Sequence, residues 1–330
     1  MMETYSVFGL SAMQTEVLYE LERRLVLNDI ELNKKKADKK SDWLLDWDKS
    51  ISLYMKETLK IKDIQLFNNC NDVVLKEYIN SDSQNNVWKY MVLLECVLFS
   101  AYYPFKKEDS KKYKGLKMDK KTKRSMLEAI AKDFLGVDAK YIDIFEKAFE
   151  KSIKRMSNYW IKVGGVAAGI VAVVLITIFT WQYELLGLVA AEGVSGAALI
   201  TSGLAALGGG AVAAGGGGVA AGTAVFVGGG VLLGSAVGVP SGFIVATATN
   251  SKLFLSQAAK MEVVLKEIVL AIQKDTDYFQ KVLLNLQSQT ASLTAELQKL
   301  KMDEDNNKKK IADLKKSIKY LESVIGAVQK

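Results

Sequence analysis

Hydrophobic and polar positions divide the chain into three parts. Apolar residues recur at helical spacing in residues 1–158, become almost continuous in residues 159–250, and follow a heptad pattern in residues 251–330. Apolar residues three and four positions apart share one face of a helix, so the pattern favours helices throughout. It predicts an all-α protein with a helical N-terminal domain, Gly/Ala-rich hydrophobic membrane-inserting helices, and a long C-terminal coiled-coil helix or helical hairpin.

Residues 1–158 are predicted to form a soluble helical domain. Ser11 and Gln14 have the spacing of a capping box, which marks the start of a helix. Residues 87–103 are almost wholly apolar, but charges interrupt the run and it is too short to cross a bilayer comfortably. We therefore expect this run to be the buried core helix of the domain.

Residues 163–251 are the least polar part of the chain. These 89 residues contain two charges, Glu184 and Glu192, and 21 of the 25 glycines. An uninterrupted apolar run of about 18 residues or more is typical of a membrane span. We therefore expect a transmembrane or membrane-inserting segment, and we assign it to residues 159–250.

The first span is predicted at residues 163–183. Its 21 residues carry no charge, and at about 1.5 Å per residue they reach roughly 30 Å, the thickness of a bilayer's hydrocarbon core. Aromatic and basic residues mark membrane interfaces, and the candidates are Tyr159, Trp160 and Lys162 at one edge and Trp181 and Tyr183 at the other. The alternative is a buried helix in a large soluble protein.

Residues 193–250 carry no charge and are predicted to form a glycine-rich hairpin of two further helices. Small residues recur at every fourth position, which lets helix backbones approach closely inside lipid. The helix-packing positions are Gly210, Gly218, Gly222, Gly230, Gly234, Gly238 and Gly242. This pattern fits both constitutive insertion and release of the segment from a soluble form.

A heptad repeat predicts that residues 251–330 form coiled-coil helices. The seam positions are Leu283, Leu286, Leu293, Leu297, Leu300, Ile311, Leu314, Ile318, Leu321 and Ile325. Residues 303–307 interrupt the repeat, either as a turn that folds the last helix back or as one polar layer of a continuous helix. The apolar seam requires a partner in either case, from the same chain or from another.

Charge is concentrated on both sides of the apolar centre. The chain has a formal net charge of +7, with 30 basic and 25 acidic residues in 1–162 and 14 and 10 in 252–330. A basic loop at residues 106–124 holds ten Lys or Arg and three acidic residues. Two interpretations are open, a solvated loop and docking on anionic lipid. The arrangement favours an anionic lipid bilayer as partner over nucleic acid, which stays a minor alternative.

The residue inventory argues against an enzyme. The chain has no histidine, and its two cysteines, Cys70 and Cys96, lack metal-ligand spacing, which excludes Ser-His and Cys-His nucleophile pairs and histidine metal sites. No phosphate-loop motif is present. We therefore expect no catalytic residues, metal or cofactor. The first residues carry Glu3 and no basic region, so we expect no cleavable signal peptide and a membrane protein that reaches its membrane from a soluble cytosolic form.

The glycine-rich apolar hairpin followed by a long heptad helix resembles the α-helical pore-forming toxins of the haemolysin E and tripartite enterotoxin type. The resemblance is one of architecture over residues 163–330, and the first 160 residues depart from the long helices of that family. It implies a membrane-disrupting effector that oligomerises through small-residue helix packing and a coiled coil, as a homo-oligomer or with a partner protein. A membrane-anchored scaffold or tether that recruits a partner through the coiled coil is the alternative.

Overall fold

The computed structural model describes residues 10–53, 55–56, 61–82, 86–102, 111–157, 248 and 251–330. These residues contain helices and no strand, which confirms the all-α class. We number their helices α1 (Ala12–Leu32), α2 (Ala37–Leu53), α3 (Asp72–Ser81), α4 (Val87–Leu98), α5 (Lys120–Ala129), α6 (Lys140–Met156), α7 (Ser251–Val263), α8 (Thr276–Lys301) and α9 (Glu304–Val328). Helix α5 continues as a π-helix at Ile130–Phe134, and α7 does so at Val264–Gln273.

Side-chain caps fix the beginnings of several helices. The Ser11 hydroxyl accepts a hydrogen bond from Gln14 N at 3.2 Å, and the Gln14 side chain accepts one from Ser11 N at 3.0 Å. This confirms the predicted capping box of α1. Asn71, Asp119 and Asp275 are side-chain N-caps of α3, α5 and α8, and each accepts from one backbone N–H of the first turn.

Helix α4 is the core helix of the amino-terminal region, as its apolar pattern predicted. Ten of its twelve residues are buried, including Glu95 and Cys96. It packs against α1, α5, α6 and the π-helical continuation of α7. Residues from both ends of the chain therefore share one core.

An aromatic cluster fills the contact between α2 and the neighbouring loops. Trp43 and Trp47 stack with ring centroids 6.1 Å apart. Phe67 and Phe99 pack edge-on against Trp47, and Tyr102 does so against Trp43. Aromatic rings bury large apolar areas, so this cluster fixes α2 and the segments at 61–71 and 99–102 to the bundle.

Helices α8 and α9 form a helical hairpin. Helix α8 ends at Lys301 and α9 begins at Glu304, with Met302 and Asp303 between them, and the two helices pack along each other. The Asn306 amide donates to the Asp303 carboxylate at 2.9 Å within this turn. The chain therefore turns here, as one interpretation predicted, and the continuous helix is wrong; the turn itself lies at Met302 and Asp303, and residues 304–307 already belong to α9.

The predicted membrane segment lies outside the described residues. This applies to the span 163–183, to the glycine-rich hairpin 193–250 apart from residue 248, and to their proposed interface and packing positions, Tyr159, Trp160, Lys162, Trp181, Tyr183, Gly210, Gly218, Gly222, Gly230, Gly234, Gly238 and Gly242. None of the helices that the structure describes combines the length and the apolar character needed to cross a membrane.

Candidate functional site at the ends of the apolar segment

The two helices that flank the apolar segment, residues 159–250, run antiparallel. Arg155 of α6 pairs with Glu262 of α7, and Lys151, one turn earlier in α6, interacts electrostatically with Glu267, just over one turn further along the chain beyond α7. Residue numbers fall along α6 as they rise along α7 between these two contacts, so the two helices are antiparallel. The end of α6 and the beginning of α7 therefore lie at the same end of the bundle, which we call the segment end.

Glu262 joins three helices near the segment end. Its carboxylate accepts hydrogen bonds from the Ser152 hydroxyl at 2.6 Å and from Arg155 Nη1 at 2.8 Å. The Arg155 guanidinium also donates to the Ser323 hydroxyl of α9 at 3.1 Å. Glu262 is buried and its charge is satisfied by these donors, as a buried carboxylate requires.

Helix α9 holds the chain where it returns from the apolar segment. The buried Ser317 hydroxyl donates to the Ala248 carbonyl at 2.7 Å, and the Ser251 hydroxyl donates to the Asp313 carboxylate at 2.6 Å. Ser251 pairs with Asp313, and further along both helices Arg155 bridges Glu262 and Ser323, so α9 runs parallel to α7. Eleven residues separate Met302 from Asp313, so the turn of the α8–α9 hairpin projects about 16 Å beyond Ser251.

A buried ion pair connects α7 to the amino-terminal bundle. Lys260 Nζ lies 2.5 Å from Glu95 Oε2 of α4, and the two side chains are 5% and 9% exposed. Glu22 of α1 is buried beside this pair. Burial raises the pKa of Glu22 well above its usual range, and the negative charge of Glu95 adds to this shift, whereas Lys260 and Lys123 oppose it.

Lys123 of α5, which is partly buried, completes this polar cluster. Its ammonium donates to the Val97 carbonyl at 2.8 Å and to the Phe99 carbonyl at 2.6 Å, which satisfies two backbone acceptors at the carboxyl end of α4. Burial lowers the pKa of Lys123 to about 8. Burial also raises the pKa of Cys96 well above its usual range, which keeps the thiol protonated and unreactive. The cluster therefore stabilises the packing between these helices.

The coiled-coil seam predicted from the sequence lies inside the described fold. Leu283, Leu286, Leu293, Leu297, Ile311, Leu314, Ile318 and Leu321 are buried, and Leu300 and Ile325 are partly buried against the same core. Helices α8 and α9 supply much of this cover for each other, and α7 packs on α9. A second chain on the seam stays a prediction.

The basic loop at 106–124 is described from residue 111 onward, and several of its charges already have partners. Lys112 lies 2.8 Å from Asp46. Hydrogen bonds from Lys112 and Tyr113 hold the pKa of Asp46 below its usual value. Residues 120–124 belong to the first turns of α5, where Arg124 pairs with Glu128 and an aspartate of α6. The free positive charge of this segment is therefore smaller than its sequence indicates.

Sequence reasoning missed the buried ion pairs because it treated Glu95 only as an interruption of an apolar run. An isolated charge inside an otherwise apolar helix is a signal for a buried partner, since an unpaired buried charge is costly. The partner, Lys260, is 165 residues away and has no local signature.

Comparisons with protein-family models, with curated proteins and with solved structures found no match to this chain. The part of the chain that the structure describes contains no group of three or more side chains suited to hold a metal ion. The proposal for function therefore depends on the arrangement of this chain's own residues.

Proposed function

We propose that this protein is a membrane-inserting effector, pore-forming or membrane-disrupting, of the toxin or cell-death and defence type. The observation that carries the proposal is the antiparallel α6–α7 pair, which brings both ends of a segment nearly free of charge to one end of a helical scaffold. Both ends on one side of a bilayer require an even number of crossings, which the hairpin predicted at residues 193–250 supplies, whereas an added crossing by residues 163–183 would place the ends on opposite sides.

The scaffold supports this proposal because it holds both ends of the segment with buried polar contacts. Glu262 ties α6 to α7, and Ser317 ties the returning chain to α9. In the proposed mechanism the Gly/Ala-rich helices insert, small-residue packing associates them, and the coiled-coil helices contribute to assembly with further copies. The protein reaches its membrane from a soluble cytosolic form.

Release of dye from anionic liposomes tests the proposal. The full-length protein should release dye, and Gly234→Leu with Gly238→Leu should reduce release while vesicle binding is retained, because bulky side chains prevent close helix packing. Gly326→Leu is a matched control, since Gly326 is exposed on α9 with open space around its Cα. Vesicles that stay intact at a high protein-to-lipid ratio contradict the proposal.

The second candidate function, a membrane-anchored scaffold or tether, has its own supporting observation. Leu284 of α8 is 65% exposed and Met302 at the projecting turn is 87% exposed, which offers apolar contacts to a partner protein. Toxicity on expression that requires residues 193–250 favours the effector. Binding of a partner that is lost in Leu284→Glu with Met302→Glu, without toxicity in the wild type, favours the tether.

A further inference from the structure

A cavity lined by lysines lies between the α1–α2 connection and the loop before α5. Its volume is about 520 Å³, within the range of roughly 300–1,000 Å³ that is common for ligand pockets. Six lysines and one aspartate line it, namely Lys35, Lys36, Lys40, Lys117, Lys120, Lys121 and Asp119. Such an excess of one charge sign raises the local concentration of anions.

Five of these lysines are exposed and available to a ligand. Within the described ranges, Lys35, Lys36, Lys117, Lys120 and Lys121 form no ion pair with an acidic side chain. Lys36 donates to the backbone carbonyl of a loop glycine at 3.1 Å, a contact that positions its ammonium at the cavity without neutralising it. The lining therefore carries a concentrated positive charge.

Two carboxylates at the cavity, Asp119 and Asp29, have other partners. Asp119 accepts from Thr122 N and from the Thr122 hydroxyl, and these bonds hold its pKa below the usual value. Asp29, beneath the cavity, is buried and pairs with Lys40 at 2.7 Å. Both carboxylates are thus engaged, and the five exposed lysines face solvent at the cavity.

Two helices begin at the cavity, which adds to its positive potential. Helix α2 starts at Ala37, directly after two of the lining lysines, and α5 starts at Lys120, itself a lining residue. Helix N-termini carry partial positive charge and favour anions, although Asp38 lies in the first turn of α2 and Asp119 caps α5. The dipoles reinforce the lysines and are not needed to define the site.

The cavity lies toward the same end of the bundle as the apolar segment. Tyr90 of α4 packs on Tyr141 of α6, and further along, Lys123 interacts with Cys96 of α4 and Glu146 of α6, so these helices run parallel. The start of α5 contacts the carboxyl end of α4 through Lys123. Helix α6 continues in this direction to its own end, which is the segment end.

We propose that this cavity binds a multiply phosphorylated small anion, either the headgroup of a phosphorylated lipid or a free polyphosphate. Lysine ammonium groups bind phosphate as point charges, and several of them around one cavity favour an anion with several charges over a single carboxylate. The proposal goes beyond the membrane-inserting function and does not depend on it, since binding is measured without leakage.

The test uses the full-length chain with two probes. Inorganic triphosphate is titrated by calorimetry, and phosphatidylcholine vesicles with or without phosphatidylinositol bisphosphate are used for flotation. The cavity variant is Lys36→Gln, Lys117→Gln and Lys120→Gln. It should bind triphosphate on the order of 100-fold more weakly than the wild type, since each lysine contributes about tenfold or less near anionic groups.

The matched control is Lys309→Gln, Lys310→Gln and Lys315→Gln, which removes the same charge from exposed positions of α9. It should bind both probes as the wild type does. Both variants change exposed lysines only, so equal unfolding midpoints verify that the fold is retained.

The outcomes separate the two sources of phosphate. If the cavity variant, and not the control, loses binding both to triphosphate and to the vesicles that contain phosphatidylinositol bisphosphate, the site binds a lipid headgroup. Loss of triphosphate alone supports a free polyphosphate site. The proposal is overturned if the wild type binds neither probe, if the two variants weaken binding equally, or if duplex DNA binds more tightly than triphosphate through the same lysines.

Discussion

Replacing Lys260 by Met tests whether the buried ion pair fastens α7 to the amino-terminal bundle. The change keeps most of the side-chain length but leaves Glu95 without the ammonium that lies 2.5 Å from its carboxylate. Removing one partner of a buried pair costs about 3–5 kcal/mol, because the remaining buried charge loses the attraction that offset its desolvation. Glu22, beside the pair, also loses the attraction of Lys260.

The double variant, Lys260→Met with Glu95→Leu, distinguishes the energy of the ion pair from the energy of packing two side chains at these positions. An apolar pair of similar volume is often neutral or stabilising by about 1–4 kcal/mol relative to a buried ion pair. We therefore expect the second change to restore most of the loss. Lys112→Met, which breaks the exposed pair with Asp46, should lose far less because water screens it.

Urea denaturation followed by circular dichroism measures the wild type, Lys260→Met, Glu95→Leu, the double variant and Lys112→Met, and hydrogen exchange of α7 amides locates the effect. In Lys260→Met, the rate of amide exchange should increase over the wild type more in α7 than in α2, which lies away from the pair. The reasoning is refuted if Lys260→Met costs less than about 1 kcal/mol, or if the losses of the two single variants simply add in the double variant.

Two further changes test the buried polar groups separately. Lys123 has a pKa of about 8 in the folded state against 10.5 in the unfolded state. The unfolded state therefore binds more protons between these pH values, and the free energy of unfolding rises with pH there, by about 3 kcal/mol in total. Lys123→Met should remove this rise in urea denaturation at a series of pH values, and an unchanged slope contradicts the prediction. One oxygen of Glu16 accepts hydrogen bonds from the N–H groups of residues 65, 66 and 67, so Glu16→Ala should lower the free energy of unfolding by about 3 kcal/mol. The control, Glu31→Ala at an exposed position, should leave the urea midpoint unchanged. Equal midpoints for both variants contradict the prediction.

Local sequence signals predicted the helices of the amino-terminal region well. The capping box at Ser11 and the apolar run of α4 depend on residues within a few positions of each other, and the structure confirms both. Helix propensity, capping and burial act over one or two turns, so the residues that decide them are visible in a short window.

Long-range partners could not be predicted in this way. The pattern from Leu265 to Ile272 continued into the heptad, but the chain turns at Lys274 in the left-handed region, with φ of 57°. The register of the heptad repeat continues across this turn and across residues 303–307, because each helix of a hairpin buries its own apolar face against the same core. Periodicity reports which face is buried and carries no information on what covers it.

The energy needed to separate α7 from the bundle predicts that membrane insertion leaves the α6–α7 pair intact. Eight large apolar side chains of α7 and its continuation are buried: Phe254, Leu255, Met261, Val263, Val264, Leu265, Ile268 and Val269. At about 1.5–3 kcal/mol each, exposing them costs roughly 12–24 kcal/mol, which is at or above the upper part of the range of about 5–15 kcal/mol for the stability of a typical domain.

A cleavable crosslink tests this prediction directly. Lys151→Cys and Glu267→Cys, joined by a flexible disulfide-containing bis-maleimide, hold α6 to the continuation of α7 at positions that already attract each other. The crosslinked protein should release liposome dye as the wild type does, as should a control joined within α6 through Lys147→Cys and Lys151→Cys. If the crosslink across the pair alone blocks release, and a reductant restores it, then α7 leaves the bundle during insertion. Insertion would in that case need a source of free energy as large as the cost of exposing the face of α7.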